Sequence, residues 1–273
     1  MKQRIIAAAG ADVGKYRENN EDNFYFNGIF LTEETRDKAV EYAALCRDKR
    51  QFYAVCDGMG GEQWGELASL IAVETIHKHA DLLKSAAGKK DKKDMDAEVE
   101  RCIREANKLI CEAQKERGAN RIGTTLTLLA VEGRTAALYN IGDSRIYLFR
   151  KGKLTLLSED HTAVASSVRL GILTPEQAKV HPHRNRLTQY VGIDPEEMII
   201  EAHKSTVKMK NNDIFLLCSD GITDMLEEPE ISRIMTEAKS PSETARRLVD
   251  GALAHKGKDN IAVIVLEYKR AMW

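Results

Sequence analysis

The sequence predicts an α+β fold built on antiparallel sheet, and three features carry that expectation. Short runs rich in β-branched and aromatic residues recur from one end of the chain to the other. Several are joined by tight polar punctuation such as Glu132-Gly133 and Lys151-Gly152, the loop chemistry of antiparallel hairpins rather than of parallel crossovers. Between and after them lie longer stretches whose apolar residues recur at three- and four-residue steps, the period of a helix packed by one face.

Strands are expected first at Arg4–Ala9, Phe24–Asn27 and Gln51–Cys56. A dense series follows at Thr124–Val131, Arg134–Ile141, Arg145–Phe149 and Leu154–Ser158, and the last are Ile199–Val207, Asp213–Ser219 and Ile261–Tyr268. Such side chains fit a pleated, half-buried surface. A first helix is expected from about Glu66 to Leu83. A second follows the charged stretch Gly88–Asp94, with Met95, Val99, Cys102, Ala106, Leu109 and Ala113 as its apolar face and Gly118 near its end. A third opens on Ser240-Pro241-Ser242-Glu243, a capping box with proline at the first helical position, and turns Ala245, Leu248, Val249 and Ala252 inward. Two segments read as insertions: the helix-like Thr32–Arg50, and Thr162 to about Glu197, in which Thr174-Pro175-Glu176-Gln177 starts a short helix. The lysine-rich stretch Lys89–Lys93 reads as solvated loop and helix start.

The chain has 273 residues, 43% hydrophobic and 30% charged, which suits one compact domain spanning 1–273. Forty-one basic and forty-two acidic side chains leave a formal net charge of −1, so no long-range field favours nucleic acid or an anionic membrane. Neither a signal peptide nor a membrane-length apolar run is found, and a cytoplasmic monomer is expected. Cys46, Cys56, Cys102, Cys111 and Cys218 make an odd count without CxxC spacing, which argues against disulfides or a zinc ribbon and for small buried hydrophobes. His77 and His79, two apart on a helix, point to different faces and are expected at the surface.

The chemistry is concentrated where acidic residues meet the ends of apolar strands. Phe52–Cys56 runs into Asp57-Gly58-Met59-Gly60-Gly61, and Ile214–Ser219 into Asp220-Gly221. Asn140-Ile141-Gly142 meets Asp143-Ser144-Arg145, and Gly257-Lys258-Asp259-Asn260 leads into Ile261–Leu266. Any single Asp-Gly is an ordinary turn. Glycine at a strand end lets backbone approach a ligand closely while the rigid strand holds the aspartate. As a set, carboxylates and carbonyls suit hard cations, so Asp57, Asp220 and Asp259 point to Mg²⁺ or Mn²⁺ rather than zinc.

These residues, in this order, resemble the PPM or type-2C metal-dependent protein phosphatases in their bacterial form. The likeness runs through Asp12-Val13-Gly14-Lys15-Tyr16-Arg17, Asn20-Glu21-Asp22, Val55–Gly61, Gly65-Glu66 and Gly123-Thr124-Thr125. It continues through Gly142–Arg145, Glu159-Asp160-His161-Thr162, His181–Asn185, Cys218–Gly221 and Lys258-Asp259-Asn260. The resemblance implies two packed antiparallel β-sheets flanked by α-helices, an α/β/β/α sandwich. It implies hydrolysis of phosphoserine and phosphothreonine in phosphoproteins at a binuclear Mn²⁺ or Mg²⁺ site, opposing a Ser/Thr kinase. Asp57 would bridge two tightly bound metals, the Gly58 carbonyl, Asp220 and Asp259 would complete them, and Glu21 would contribute directly or through water. Arg17 would bind substrate phosphate, Asp143 would help hold a third, weaker metal, and the flap at about 162–197 would contact the phosphoprotein.

The chain departs from the family pattern in places. Met59 stands where many eukaryotic members have a histidine, Glu62 where bacterial relatives often do, and Gln189-Tyr190 differs from the usual flap. Leaving-group protonation is therefore unassigned between a water and His161, which otherwise serves only as a backbone hydrogen-bond partner. Arg17, among Glu18, Glu21 and Asp22, has a loop ion pair as its alternative role, and Asp143 that of a turn carboxylate. Two neighbouring functions stand beside the first: a regulatory phosphatase of an anti-sigma-factor antagonist, and a phosphoprotein-binding pseudophosphatase that has lost its metals.

Overall fold

The computed structural model describes residues 3–60, 64–85, 92–119 and 121–270. The chain opens with β1 (Gln3–Asp12), β2 (Asp22–Phe26), β3 (Ile29–Phe30), β4 (Val40–Cys46) and β5 (Arg50–Met59). Helices α1 (Gly65–Ser85) and α2 (Lys92–Arg117) follow, and then β6 (Gly123–Thr124), β7 (Leu126–Glu132), β8 (Thr135–Ile141), β9 (Arg145–Arg150) and β10 (Lys153–Leu156). After short helices α3 (Ala163–Arg169) and α4 (Pro175–Lys179) come β11 (His203–Lys208), β12 (Asp213–Cys218), α5 (Asp220–Thr223), α6 (Glu228–Glu237), α7 (Pro241–Ala254) and β13 (Ile261–Arg270).

The strands form two antiparallel sheets, ordered β10-β9-β12-β13-β1-β4 and β11-β8-β7-β5-β2-β3, with β6 added beside β5. Their near-continuous apolar runs follow from burial on both faces. Successive strand side chains point opposite ways, so in β5 Tyr53 and Val55 pack between the sheets, while Phe52, Ala54 and Cys56 pack under α1 and α2. In β13, Ala262, Ile264 and Leu266 join the inter-sheet core, and Ile261, Val263 and Val265 meet α5, α6 and α7. The result is an α/β/β/α sandwich. No helix among the described residues is long and apolar enough to cross a membrane.

Several expectations are corrected by packing. The helix-like Thr32–Arg50 segment holds strand β4, paired antiparallel to β1 along Ile5↔Cys46 to Ala11↔Val40. Val40, Tyr42, Ala44 and Cys46 turn toward the inter-sheet core, and that two-residue alternation decides the element over the charged composition around it. The last expected strand before Asp213 begins at His203 rather than Ile199, which is exposed. On α2, Ile103 and Ile110 are buried and Leu109 lies at the rim of the apolar face, 38% exposed. His79 is buried between α1 and α2, where Glu98 and Glu105 bond its two ring nitrogens at 2.7 and 2.9 Å. His77, on another face, packs on Tyr25 and Phe30.

The caps follow local chemistry. Thr174 and Gln177 form a complete capping box at α4. At α7 the Ser240 hydroxyl accepts from the Glu243 amide, but the Glu243 carboxylate accepts from Lys239 instead of closing the box. Cys56, Cys102 and Cys218 are buried and all five cysteines are free thiols. Glu62 and the loop part of the Lys89–Lys93 stretch lie outside the described residues, and α2 begins at Lys92.

Candidate metal and phosphate site

The acidic residues come together at the ends of interior strands of the two sheets, β2 and β5 in one and β12 and β13 in the other. In the β2–β5 pair Asp22 stands opposite Asp57, and the Gly58 amide donates to the Glu21 carbonyl at 3.1 Å. β12 belongs to the other sheet, yet the Ser219 hydroxyl at its end donates to Asp22 Oδ2 at 2.6 Å. That bond ties the sheets together beside Asp220, the first residue of α5. Asp57 is held from behind, with its amide donating to Thr125 Oγ1 at 2.9 Å and its carbonyl accepting from the Thr125 amide at 2.8 Å. Thr125 Oγ1 also bonds the Ser144 hydroxyl at 2.7 Å, which links the Asp57 strand to the loop of Asp143.

Asn260 organises the remaining corner. Its amide nitrogen donates to the carbonyls of Val13 and Asn19, both at 2.9 Å, and its side-chain oxygen accepts from the Glu21 amide at 2.8 Å. This sets the Arg17 loop beside Asp259, and Arg17 Nη2 donates to Asp259 Oδ2 at 2.8 Å. Two glycines allow the closeness. A Cβ on Gly58 would lie 2.2 Å from the Gly65 carbonyl oxygen, and one on Gly221 would lie 1.9 Å from that of Asn260. Backbone atoms at such distances cannot yield as a flexible side chain can.

The electrostatics are dominated by uncompensated negative charge. Burial first, and then Asp22, Asp220, Asp143 and Asp259, push the Asp57 carboxyl well above the usual range. Burial likewise raises Asp22 and Asp143, the latter also facing Asp220. Asp220 is pushed up to about 7 by burial and then by Asp224 and Asp259, and its carboxyl lies within hydrogen-bond reach of Asp57. Glu21 is raised by burial, against the pull of Arg17. The hydrogen bond to Asp259 is the main reason Arg17 is raised. Buried carboxylates of this kind call for cations. Among the described residues no three carboxylate, imidazole or thiolate side chains close around one point as an all-protein cage. Carboxylates are the side-chain donors that Mg²⁺ and Mn²⁺ favour, and no thiolate or imidazole set of the kind zinc prefers is found among the described residues.

Each expected residue, Arg17, Glu21, Asp57, Gly58, Asp143, Asp220 and Asp259, belongs to this cluster. His161 sits at its edge: its amide donates to the Gly142 carbonyl at 2.9 Å, its Nδ1 faces the Gly142 amide at 3.4 Å, and burial lowers its pKa. Sequence reasoning assigned no role to Asp22, only 2% exposed, to Asn260, or to Asp160, which clamps Arg145 at 2.6 Å. For Asp22 and Asn260 the signal was a polar side chain at the start of an apolar strand; Asp160 had none. Asp224, one turn after Asp220 and bonded to Arg184 at 2.7 Å, carried no such signal.

Residues 37–255 match the sequence profile of the family described as Protein phosphatase 2C. Over 257 residues the chain is 31% identical to Serine/threonine phosphatase stp of Listeria innocua, covering 94% of this chain and 93% of that one. It is similar in structure to the Mycobacterium tuberculosis serine/threonine phosphatase PstP/Ppp, with a TM-score of 0.79 and 29% identity over 97% of this chain and 100% of that one. The catalytic domain of PstP, solved in complex with two manganese ions, gives a TM-score of 0.78 and 28% identity over 98% of this chain and 100% of that one. Likeness at this level over nearly the whole length makes the protein a metal-dependent protein phosphatase. In particular, the chain belongs to the protein phosphatase 2C, or PPM, family.

Proposed function

We propose that this enzyme hydrolyses phosphoserine and phosphothreonine in phosphoproteins and so opposes a Ser/Thr protein kinase. The observation that carries the reading is the crowding of Asp22, Asp57, Asp143, Asp220, Asp259 and Glu21 into one cluster, with the Arg17 guanidinium beside Asp259, Glu21 and Asp57. Asp57 would be shared by two divalent cations, with the Gly58 carbonyl, Asp220, Asp259 and Glu21 completing the set and Asp143 serving a third, weaker position. When bound, Mn²⁺ or Mg²⁺ supplies Lewis acidity toward the phosphate and a nucleophile drawn from water.

The chain's own residues do the rest. Arg17, half exposed at the rim, presents a planar fork to phosphate oxygens and exchanges part of its bond to Asp259 for them. Thr124 and Thr125 hold Asp57 so that its carboxylate does not reorganise as charge develops. Ser219 and Asn260 keep the strand ends in register. Met59 has no proton to give the leaving alkoxide, and His161 is held by the Gly142 loop, with burial lowering its pKa. The flap from 162 to 197 borders the cluster and offers its surface to the peptide.

Release of phosphate from a phosphothreonine peptide should require Mn²⁺ or Mg²⁺, and Asp57→Asn should abolish it while the protein still folds. Full turnover after chelation, with no metal left by elemental analysis, would refute the reading.

A further inference from the structure

We propose that the flap loop 179–186 selects phosphoproteins whose phosphorylated residue is flanked by acidic side chains, a refinement resting on the phosphoprotein reading above. Lys179, His181, His183, Arg184 and Arg186 fall in this stretch, and no carboxylate occurs from Gln177 to Ile193. The whole chain carries a formal charge of only −1, so this concentration of positive charge is local.

The loop is pinned against the acidic centre from two sides. The Ala163 amide donates to the Arg186 carbonyl at 3.2 Å, and Thr188 donates to the His161 carbonyl at 2.8 Å. The His161 amide bonds Gly142, next to Asp143, at 2.9 Å. On the other side Arg184 Nη2 donates to Asp224 Oδ2 at 2.7 Å, and Asp224 is the C-cap of α5, whose first residue is Asp220. Lys179 reaches Glu227 at 2.7 Å. The loop therefore bridges the Asp143 and Asp220 sides of the site with its basic groups outward.

These groups are available to a partner. Arg184 and Asp224 are 43% and 31% exposed, a pair of the kind that solvent screening leaves weak. A carboxylate on the substrate can therefore take Arg184 from Asp224 at little cost. Arg186 is exposed and makes no ion pair among the described residues. An acidic peptide approaching a carboxylate-rich centre needs positive charge at its edge, and complementary potential of this sort sets specificity more than raw affinity.

The test compares the Mn²⁺-loaded protein on three phosphothreonine peptides of equal length, with glutamate, glutamine or lysine flanks, beside a small aryl phosphate. kcat/KM should be about tenfold higher for glutamate than for glutamine flanks, lowest for lysine, expressed mainly in KM and shrinking as salt rises. In Arg184→Glu/Arg186→Glu the order should reverse. Arg186→Gln alone, at an exposed side chain, should cut the glutamate-to-glutamine ratio about threefold and keeps the proposal testable should the double variant misfold. Equal kcat/KM on all three peptides, with the aryl phosphate still hydrolysed, overturns the selectivity and leaves the phosphatase reading intact. No turnover of any of these compounds overturns that reading itself. A uniform drop on every peptide, with the wild-type order kept, assigns the arginines to holding the flap and overturns the proposal.

Discussion

Gly221 and Asn260 show how little room the site has. The Asn260 carbonyl lies 1.9 Å from where a Gly221 Cβ would stand, while its side chain holds Val13, Asn19 and Glu21. Gly221→Ala must push that loop away and part Asp220 from Asp259. Overpacking costs about 1–3 kcal/mol, against a total stability of roughly 5–15 kcal/mol, so the fold should survive. Catalytic geometry tolerates displacements of only about 0.5 Å. We therefore expect at least a roughly hundredfold loss of kcat/KM with a modest drop in urea midpoint, and near-wild-type activity would count against this view. Arg17→Ala removes a half-exposed ion pair, which matters little to the fold. Losing a charge-assisted contact to phosphate, about 1.5–3 kcal/mol, should instead raise KM roughly tenfold to a hundredfold. Unchanged kinetic constants on a phosphopeptide would return Arg17 to the role of a loop ion pair.

Among the elements, α2 is joined to the end of the flap by the buried Asn107 amide and, more weakly, by the Cys111 thiol. Asn107 Oδ1 accepts from Gly192 at 2.7 Å, and Nδ2 donates to the Ile193 carbonyl at 2.9 Å. Beside them Val191 pairs with Thr124, whose hydroxyl donates to the Asp57 carbonyl at 2.9 Å. Asn107→Ala leaves the buried Gly192 amide without its partner and the Ile193 carbonyl with only the weak Cys111 thiol, at about 1–3 kcal/mol. It should lower the urea midpoint and speed amide exchange at Gly192 ahead of the sheet strands. Uniform exchange throughout the chain would show that the flap end is not anchored there. None of this was legible in the sequence, because Asn107 sits on a helix among charged neighbours and its partners lie 85 residues or more away.

For the whole molecule, the cluster couples stability to pH and metal. Asp22, Asp57, Asp143 and Asp220 have raised folded pKa values, Asp220 at about 7. The sign follows: their favourable contribution is complete below the unfolded carboxylate value near 3.9 and is lost as pH rises through the folded values. Divalent cations replace the protons and bind more tightly as pH rises. The gap in melting temperature between Mn²⁺-loaded and chelated protein should therefore widen from about pH 5.5 to about pH 8. A gap that does not change with pH would mean Asp57, Asp143 and Asp220 are not the ligands.

The sequence by itself determined what short-range physics controls. Alternation and hairpin punctuation located β7, β8, β9, β12 and β13, cap chemistry located α4 and α7, and glycine after a strand-end aspartate marked Asp57 and Asp220. Ordered likeness to a family supplied the two-sheet sandwich. Only the tertiary structure decided that residues 40–46 are a strand, because pairing with β1 selected a two-residue period that their composition concealed. It alone buried His79 between two glutamates, tied Ser219 to Asp22 across 197 residues and Arg17 to Asp259 across 242, and set Arg184 on Asp224. The physical reason is range: periodicity and capping act within a few residues, whereas these contacts depend on the register of two sheets and on the burial that their packing imposes.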